Sequence, residues 1–81
     1  MNSWNYRVLR HTSMRSDGSA EVYFAVHEVY YDEKNRAVSC TENPSFVYGE
    51  TPEELRRDLD RMAGAFKLPT LDYDSFGAKP Q

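Results

Sequence analysis

The sequence predicts a small α+β domain: a three-stranded antiparallel meander packed on one helix, β-β-β-α, with or without a short fourth strand. Three observations carry that prediction. Residues 4–42 read as sheet, with Trp4, Tyr6 and Val8 alternating in the first run and Val, Tyr and Phe abundant in the second, two turn signals divide that stretch, and a single capped amphipathic segment follows it.

The first strand is expected over Trp4 to Met14, where Trp4, Tyr6 and Val8 alternate with Asn5 and Arg7. Ser16-Asp17-Gly18-Ser19 follows, and Asp-Gly between two alternating runs is a strong hairpin signal. Ala20 to Asp32, rich in Val, Tyr and Phe, is the second strand. Glu33-Lys34-Asn35-Arg36 is a second turn, in which Asn35 tolerates a positive φ, and Ala37 to Glu42 is a shorter third strand. Asn43-Pro44 breaks the run, and Ser45 to Tyr48 forms an extended link, open to being a continuation of the third strand after a bulge.

The helix opens at Gly49-Glu50-Thr51-Pro52-Glu53-Glu54-Leu55. Thr51 serves as N-cap, Pro52 fits the first helical position, where its missing N–H costs nothing, and Glu54 completes a capping box. Leu55, Leu59, Met62 and Phe66 then recur on one stripe roughly 60° wide. Burying all four would contribute at most roughly 6–12 kcal/mol, so packing is expected to decide this helix, with Leu59 at the centre of the buried stripe. The opposite face carries Glu53, Arg56, Arg57, Asp60, Arg61 and Gly64, a solvated surface. Pro69 disfavours helical geometry at Leu68 and ends the segment.

Two-residue turns at Asp17-Gly18 and Lys34-Asn35 would set Val8 opposite His27, Tyr6 opposite Val29, Tyr31 opposite Val38 and Val29 opposite Cys40. Trp4, Tyr6, Val8, Val29, Tyr31, Val38 and Cys40 then share one face, and Leu9, Val22, Phe24, Val26 and Tyr30 the other. One helix covers only one of two apolar faces. The second needs a parity-switching bulge near His27-Glu28, a return of Leu68, Leu71, Tyr73 and Phe76 over the sheet, or another protomer. The favoured expectation is a homodimer through Leu9, Val22, Phe24 and Val26, with residues 70–81 a C-terminal tail.

With 81 residues the chain holds one domain, 1–81, and one core. Its lone cysteine excludes an internal disulfide, and no basic-then-apolar leader opens it, so a reducing cytoplasm is expected. No apolar run is long enough to span a membrane. A net charge of −3 provides no global field for nucleic acid.

The chemistry-bearing residues form no catalytic constellation, so no enzyme, cofactor or metal site is expected. His11, His27 and Cys40 are the only soft metal ligands, and the register above sends the two histidines to opposite faces. Cys40 lacks a strand-turn-helix elbow, and the four glycines stand apart, leaving no phosphate loop. The basic residues Arg7 and Arg10, interleaved with Trp4 and Tyr6, compose the one candidate RNA surface.

From the second strand to the helix the sequence resembles HicB-like antitoxin domains. The matching residues are Tyr23 to Val29 as the central strand, and above all Gly49-Glu50-Thr51-Pro52-Glu53-Glu54-Leu55, similar to that family's Gly-x-Thr-x-Glu-Glu-Ala stretch before its helix. The resemblance implies a β-β-β-α-(β) fold and pairing with an mRNA-cleaving toxin. It departs from the family at Asn43-Pro44-Ser45-Phe46-Val47-Tyr48, where a Pro-Gly-Cys-like segment is usual. The leading functional expectation is therefore a non-enzymatic interaction protein with a toxin-like protein partner. The alternative is a small RNA-binding module using Trp4, Tyr6, Arg7 and Arg10.

Overall fold

A computed structural model describes residues 3–76. The chain runs β1 (Ser3–Met14), β2 (Ala20–Tyr31), β3 (Ala37–Cys40), α1 (Pro52–Ala63), a 3-10 turn (Gly64–Lys67), β4 (Leu71–Asp72) and a second 3-10 turn (Tyr73–Ser75). The strands form one mixed sheet in the order β3-β2-β1-β4, antiparallel except for the parallel pair of β1 and β4. The fold is α+β, with the short fourth strand present.

Both hairpins close through three-residue loops rather than two. Arg15 N–H donates to Ser19 O (2.8 Å) and Gly18 N–H to Arg15 O (3.0 Å); Asp32 N–H donates to Arg36 O (3.0 Å) and Asn35 N–H to Asp32 O (2.9 Å). In each loop the third residue alone has positive φ, Gly18 at 90° and Asn35 at 62°. A two-residue I′ turn needs positive φ at both central positions, and neither Asp17 nor Lys34 adopts it. Asp17 instead accepts from Ser19 N–H (2.9 Å) and Ser19 Oγ–H (2.7 Å), fastening the turn from its side chain.

The extra loop residue shifts the β1–β2 register by one, and a one-residue shift changes every face assignment. Val8 pairs with Val26, Tyr6 with Glu28, Arg10 with Phe24, Leu9 with Ala25 and Arg7 with His27. The expected faces are thereby corrected. Trp4, Tyr6, Val8 and Arg10 share a face with Val22, Phe24, Val26 and Tyr30, while Leu9 and His11 lie with His27, Val29 and Tyr31. The expected pairing of Val29 with Cys40 survives, because an irregularity after Tyr30 sets Tyr31 opposite Ala37 and leaves Val38 as the extra residue.

The core forms on the Leu9 face. Leu9, Val29 and Cys40 are fully buried together with Phe76, and Tyr31, Leu71 and Tyr73 pack against them. The segment after residue 70 is therefore no tail: it adds β4 beside Leu9 and folds Tyr73 and Phe76 over the sheet. Residues 77–81 of the expected tail lie outside the described residues. No parity-switching bulge interrupts β1 and β2, since their register is continuous from Ser3 to Met14.

The helix starts as the sequence implies. Thr51 Oγ1 accepts from Glu54 N–H (3.1 Å), and Glu54 Oε1 accepts from Glu50 N–H (3.1 Å), one residue before the cap's own amide. Gly49 passes so close to this first turn that a Cβ on it would stand 2.3 Å from Leu55 N. The last helical stretch tightens into the 3-10 turn, and Leu68, before Pro69, is extended at φ −118°.

Candidate functional site

The helix docks on a different line of side chains from its apolar stripe. Only Asp58 and Met62 within it are shielded, with Ala65 buried just beyond. Asp58 Oδ2 accepts from Tyr48 N–H (3.0 Å), which fixes the helix against the link that leads into it. The line through Asp58 and Met62 lies roughly 50° around the helix from the centre of the stripe. Leu59 is consequently 49% exposed and Phe66 73%, with Leu55 also open, so Leu59 is not a core residue. The stripe lost its place in the core because Phe76 and Tyr73, not the helix, cover the Leu9 face.

A second apolar surface lies on the hairpin arm. Beyond Arg10 and Val26 the strands β1 and β2 outrun β3, β4 and the link that bonds through Ser45 N–H to Val26 O (2.8 Å). Val22 and Phe24 are exposed there, Val26 is half-buried on the same face, and Leu9 is fully buried on the other. Of the four residues expected to make a partner surface, three share a face and Leu9 belongs to the core.

The basic and aromatic residues are divided as well. Trp4 and Tyr6 make an edge-to-face contact with ring centres 5.2 Å apart. Arg10 is on their face but donates to Asp72 (3.2 Å), and Arg7 is on the opposite face, buried. Arg7 donates through Nη1 to Tyr31 Oη (2.7 Å) and through Nη2 to Pro69 O (2.8 Å). Burial and the charges of Asp58 and Glu28 push the Tyr6 hydroxyl above its ordinary pKa. Acidic groups beside Tyr6 and a buried Arg7 do not make a surface that phosphates can follow.

The corrected register brings together two residues the sequence reading had set apart. His11 and His27 are buried with their Nε2 atoms 2.8 Å apart. The tautomers follow from the partners. Thr41 Oγ1–H donates to Asn43 O (3.0 Å), so Thr41 can only accept from His27 Nδ1–H, through its carbonyl (3.0 Å) and its hydroxyl oxygen (3.2 Å). His27 Nε2 then carries the lone pair, and His11 Nε2–H donates to it. The His11 ring lies between Tyr23 and Tyr73, at 4.7 and 4.2 Å between ring centres. Burial lowers the His27 pKa, the hydrogen bond to Thr41 opposes that shift, and the neighbouring His11 adds to it. A three-residue loop at Ser16–Gly18 was the signal that would have placed both histidines on one face.

This pair can hold and pass a proton, and Tyr73 and the sheet enclose it. Among the described residues no group of three His, Cys, Asp or Glu side chains could hold a metal ion. Nor is any described helix long and apolar enough to cross a membrane. No protein-family model, curated protein or solved structure matches the chain.

Proposed function

We propose that the chain is a non-enzymatic interaction protein of the HicB-like kind, which binds a protein partner through the outward apolar stripe of α1. The observation that carries this reading is the rotation of the helix. A capped amphipathic helix has turned Leu55, Leu59 and Phe66 to solvent while only Met62 of its stripe is buried. Such a stripe is costly to leave in water and matches the groove-and-helix mode of protein recognition. The β-β-β-α-β order and the tightly built Gly49–Leu55 entry support the HicB-like reading.

The partner is a toxin-like protein, a second copy of the chain, or each in turn, since a two-fold pair is the commonest way to cover such a face. Sedimentation or light scattering at rising concentration separates them. A mass near twice 9.4 kDa that is lost in Leu59→Asp marks self-association. For a partner of different sequence, a photo-crosslinking residue at position 59 or 66 captures it from native lysate, before and after nuclease treatment. A monomer at high micromolar concentration that crosslinks to nothing at either position would falsify the proposal.

A further inference from the structure

We infer that Arg7 is the floor of a carboxylate-binding cleft at the open end of the β1–β2 hairpin, a site distinct from the apolar stripe. The cleft has a volume of about 340 Å³ and is lined by Asn5, Arg7, Tyr31 and Asn35, with Trp4 and Leu68 at its rim.

The reasoning begins with charge. Arg7 is 9% exposed and always ionised, yet its two hydrogen bonds go to neutral oxygens, Tyr31 Oη and Pro69 O. Its Nε–H is buried with no partner among the described residues. Among the described residues no carboxylate pairs with it, and Asp32, in the turn beside the cleft, is held by Arg36 at 2.9 Å. A buried guanidinium without a counter-ion is among the costliest groups a small core can carry, and it is tolerated where an anion neutralises it.

The surroundings choose the anion. Arg7 Nη1–H donates to Tyr31 Oη, whose own hydrogen passes to Asn5 Oδ1 (2.9 Å), so the Asn5 amide keeps its N–H groups for another acceptor. With the Nε–H shut inside, the second N–H of Nη1 and of Nη2 remain, a planar pair that fits a carboxylate. One unit of positive charge among neutral amides and hydroxyls balances one negative charge, which suits a carboxylate better than a dianionic phosphate. Trp4, 47% exposed at the rim, and Leu68 give the rest of the ligand an apolar wall. The carboxylate comes either from a free small acid or from a Glu or Asp side chain of a bound protein.

The test follows the Arg7 Nε–H signal by ¹⁵N NMR of the whole chain. Acetate, an end-blocked peptide with a single Glu, and chloride are titrated separately at constant ionic strength. Acetate and the peptide should move the signal saturably, while chloride produces only a shallow drift. Saturation by acetate at concentrations equal to or below the peptide's identifies a free acid as the ligand. Tighter binding of the peptide by tenfold or more identifies an acidic side chain. Asn5→Asp keeps the acceptor for Tyr31 and places a carboxylate beside Arg7. It should abolish both responses and raise the melting temperature by about 5 °C. Responses to acetate and peptide no larger than that to chloride would overturn the inference.

Discussion

His11 and His27, sixteen residues apart, meet nitrogen to nitrogen at 2.8 Å beneath the ring of Tyr73. Such a contact holds with one proton between the two nitrogens and fails with two. The His27 pKa lies below its ordinary 6.5, so at mildly acidic pH the unfolded chain binds a proton the folded chain refuses. Stability should be full above about pH 6.5, fall as pH drops through that value, and level off below the folded pKa. Thermal melts between pH 7.5 and 5 should show this decline in the wild type and lose it in His27→Gln. The carboxyls of Asp17 and Asp32 are held below 3.8 by hydrogen bonds from Ser19 and from Arg36, so their loss of stability belongs to a more acid range.

Met62 and Leu59 stand on the same stripe with opposite fates, which makes them a matched pair. Met62→Ala should cost about 2–5 kcal/mol because its side chain is 6% exposed and leaves a cavity. Leu59→Ala should cost less than about 1 kcal/mol. Chemical denaturation of the two variants checks the rotation of the helix directly, and equal losses would mean that Leu59 is buried after all.

Much of the fold was legible because its signals are local. Thr51, Pro52 and Glu54 specify a helix start within four residues, and Asn35 marks a turn by the φ it tolerates. The faces of the sheet were not legible, since Asp17-Gly18 reads equally as a two- or three-residue loop and the choice reverses every inward side chain. That single residue separated His11 from His27 and placed Leu9 on the wrong surface; Arg7 and Arg10, three apart on one strand, face opposite ways in either register. The rotation of the helix was hidden for a different reason. Periodicity tells which residues share a stripe, whereas Asp58 bonding to Tyr48 N–H and Phe76 occupying the Leu9 face are long-range contacts that decide whether the stripe is used.

The C-terminal segment should behave as part of the core. Phe76 is 6% exposed and packs with Leu9, Val29 and Cys40. Phe76→Ala should cost about 3–5 kcal/mol, a large share of what an 81-residue domain has. Because Phe76 N–H donates to Tyr73 O (3.3 Å) and both rings pack on the same core, the same variant should also loosen the lid over the histidines, leaving Tyr73 held by its hydroxyl's bond to Glu42 O (3.1 Å). Exchange of the His11 and His27 ring N–H protons with solvent should then quicken, and unchanged exchange together with unchanged stability would remove the lid.

Gly49 and Gly64 flank the helix and should respond in opposite directions to the same change. A Cβ on Gly49 would stand 2.3 Å from Leu55 N, 2.7 Å from Leu55 Cα and 2.8 Å from the Glu54 carbonyl carbon. All three are backbone atoms of the first turn, so no side-chain rotation relieves the contact, and Gly49→Ala must push the entering link off the helix. The cost should reach about 1–3 kcal/mol or more, at least matching the roughly 0.5–2 kcal/mol expected for Thr51→Ala, which removes only the cap's acceptor. Gly64 has helical angles, φ −60° and ψ −20°, and open space where its Cβ would go. Gly64→Ala should therefore stabilise the protein by about 0.4–1 kcal/mol, by restricting the unfolded chain. Circular dichroism should show helix lost in the first variant and retained in the second. If Gly49→Ala melts with the wild type, the close approach of the entering link and the helix does not exist in solution.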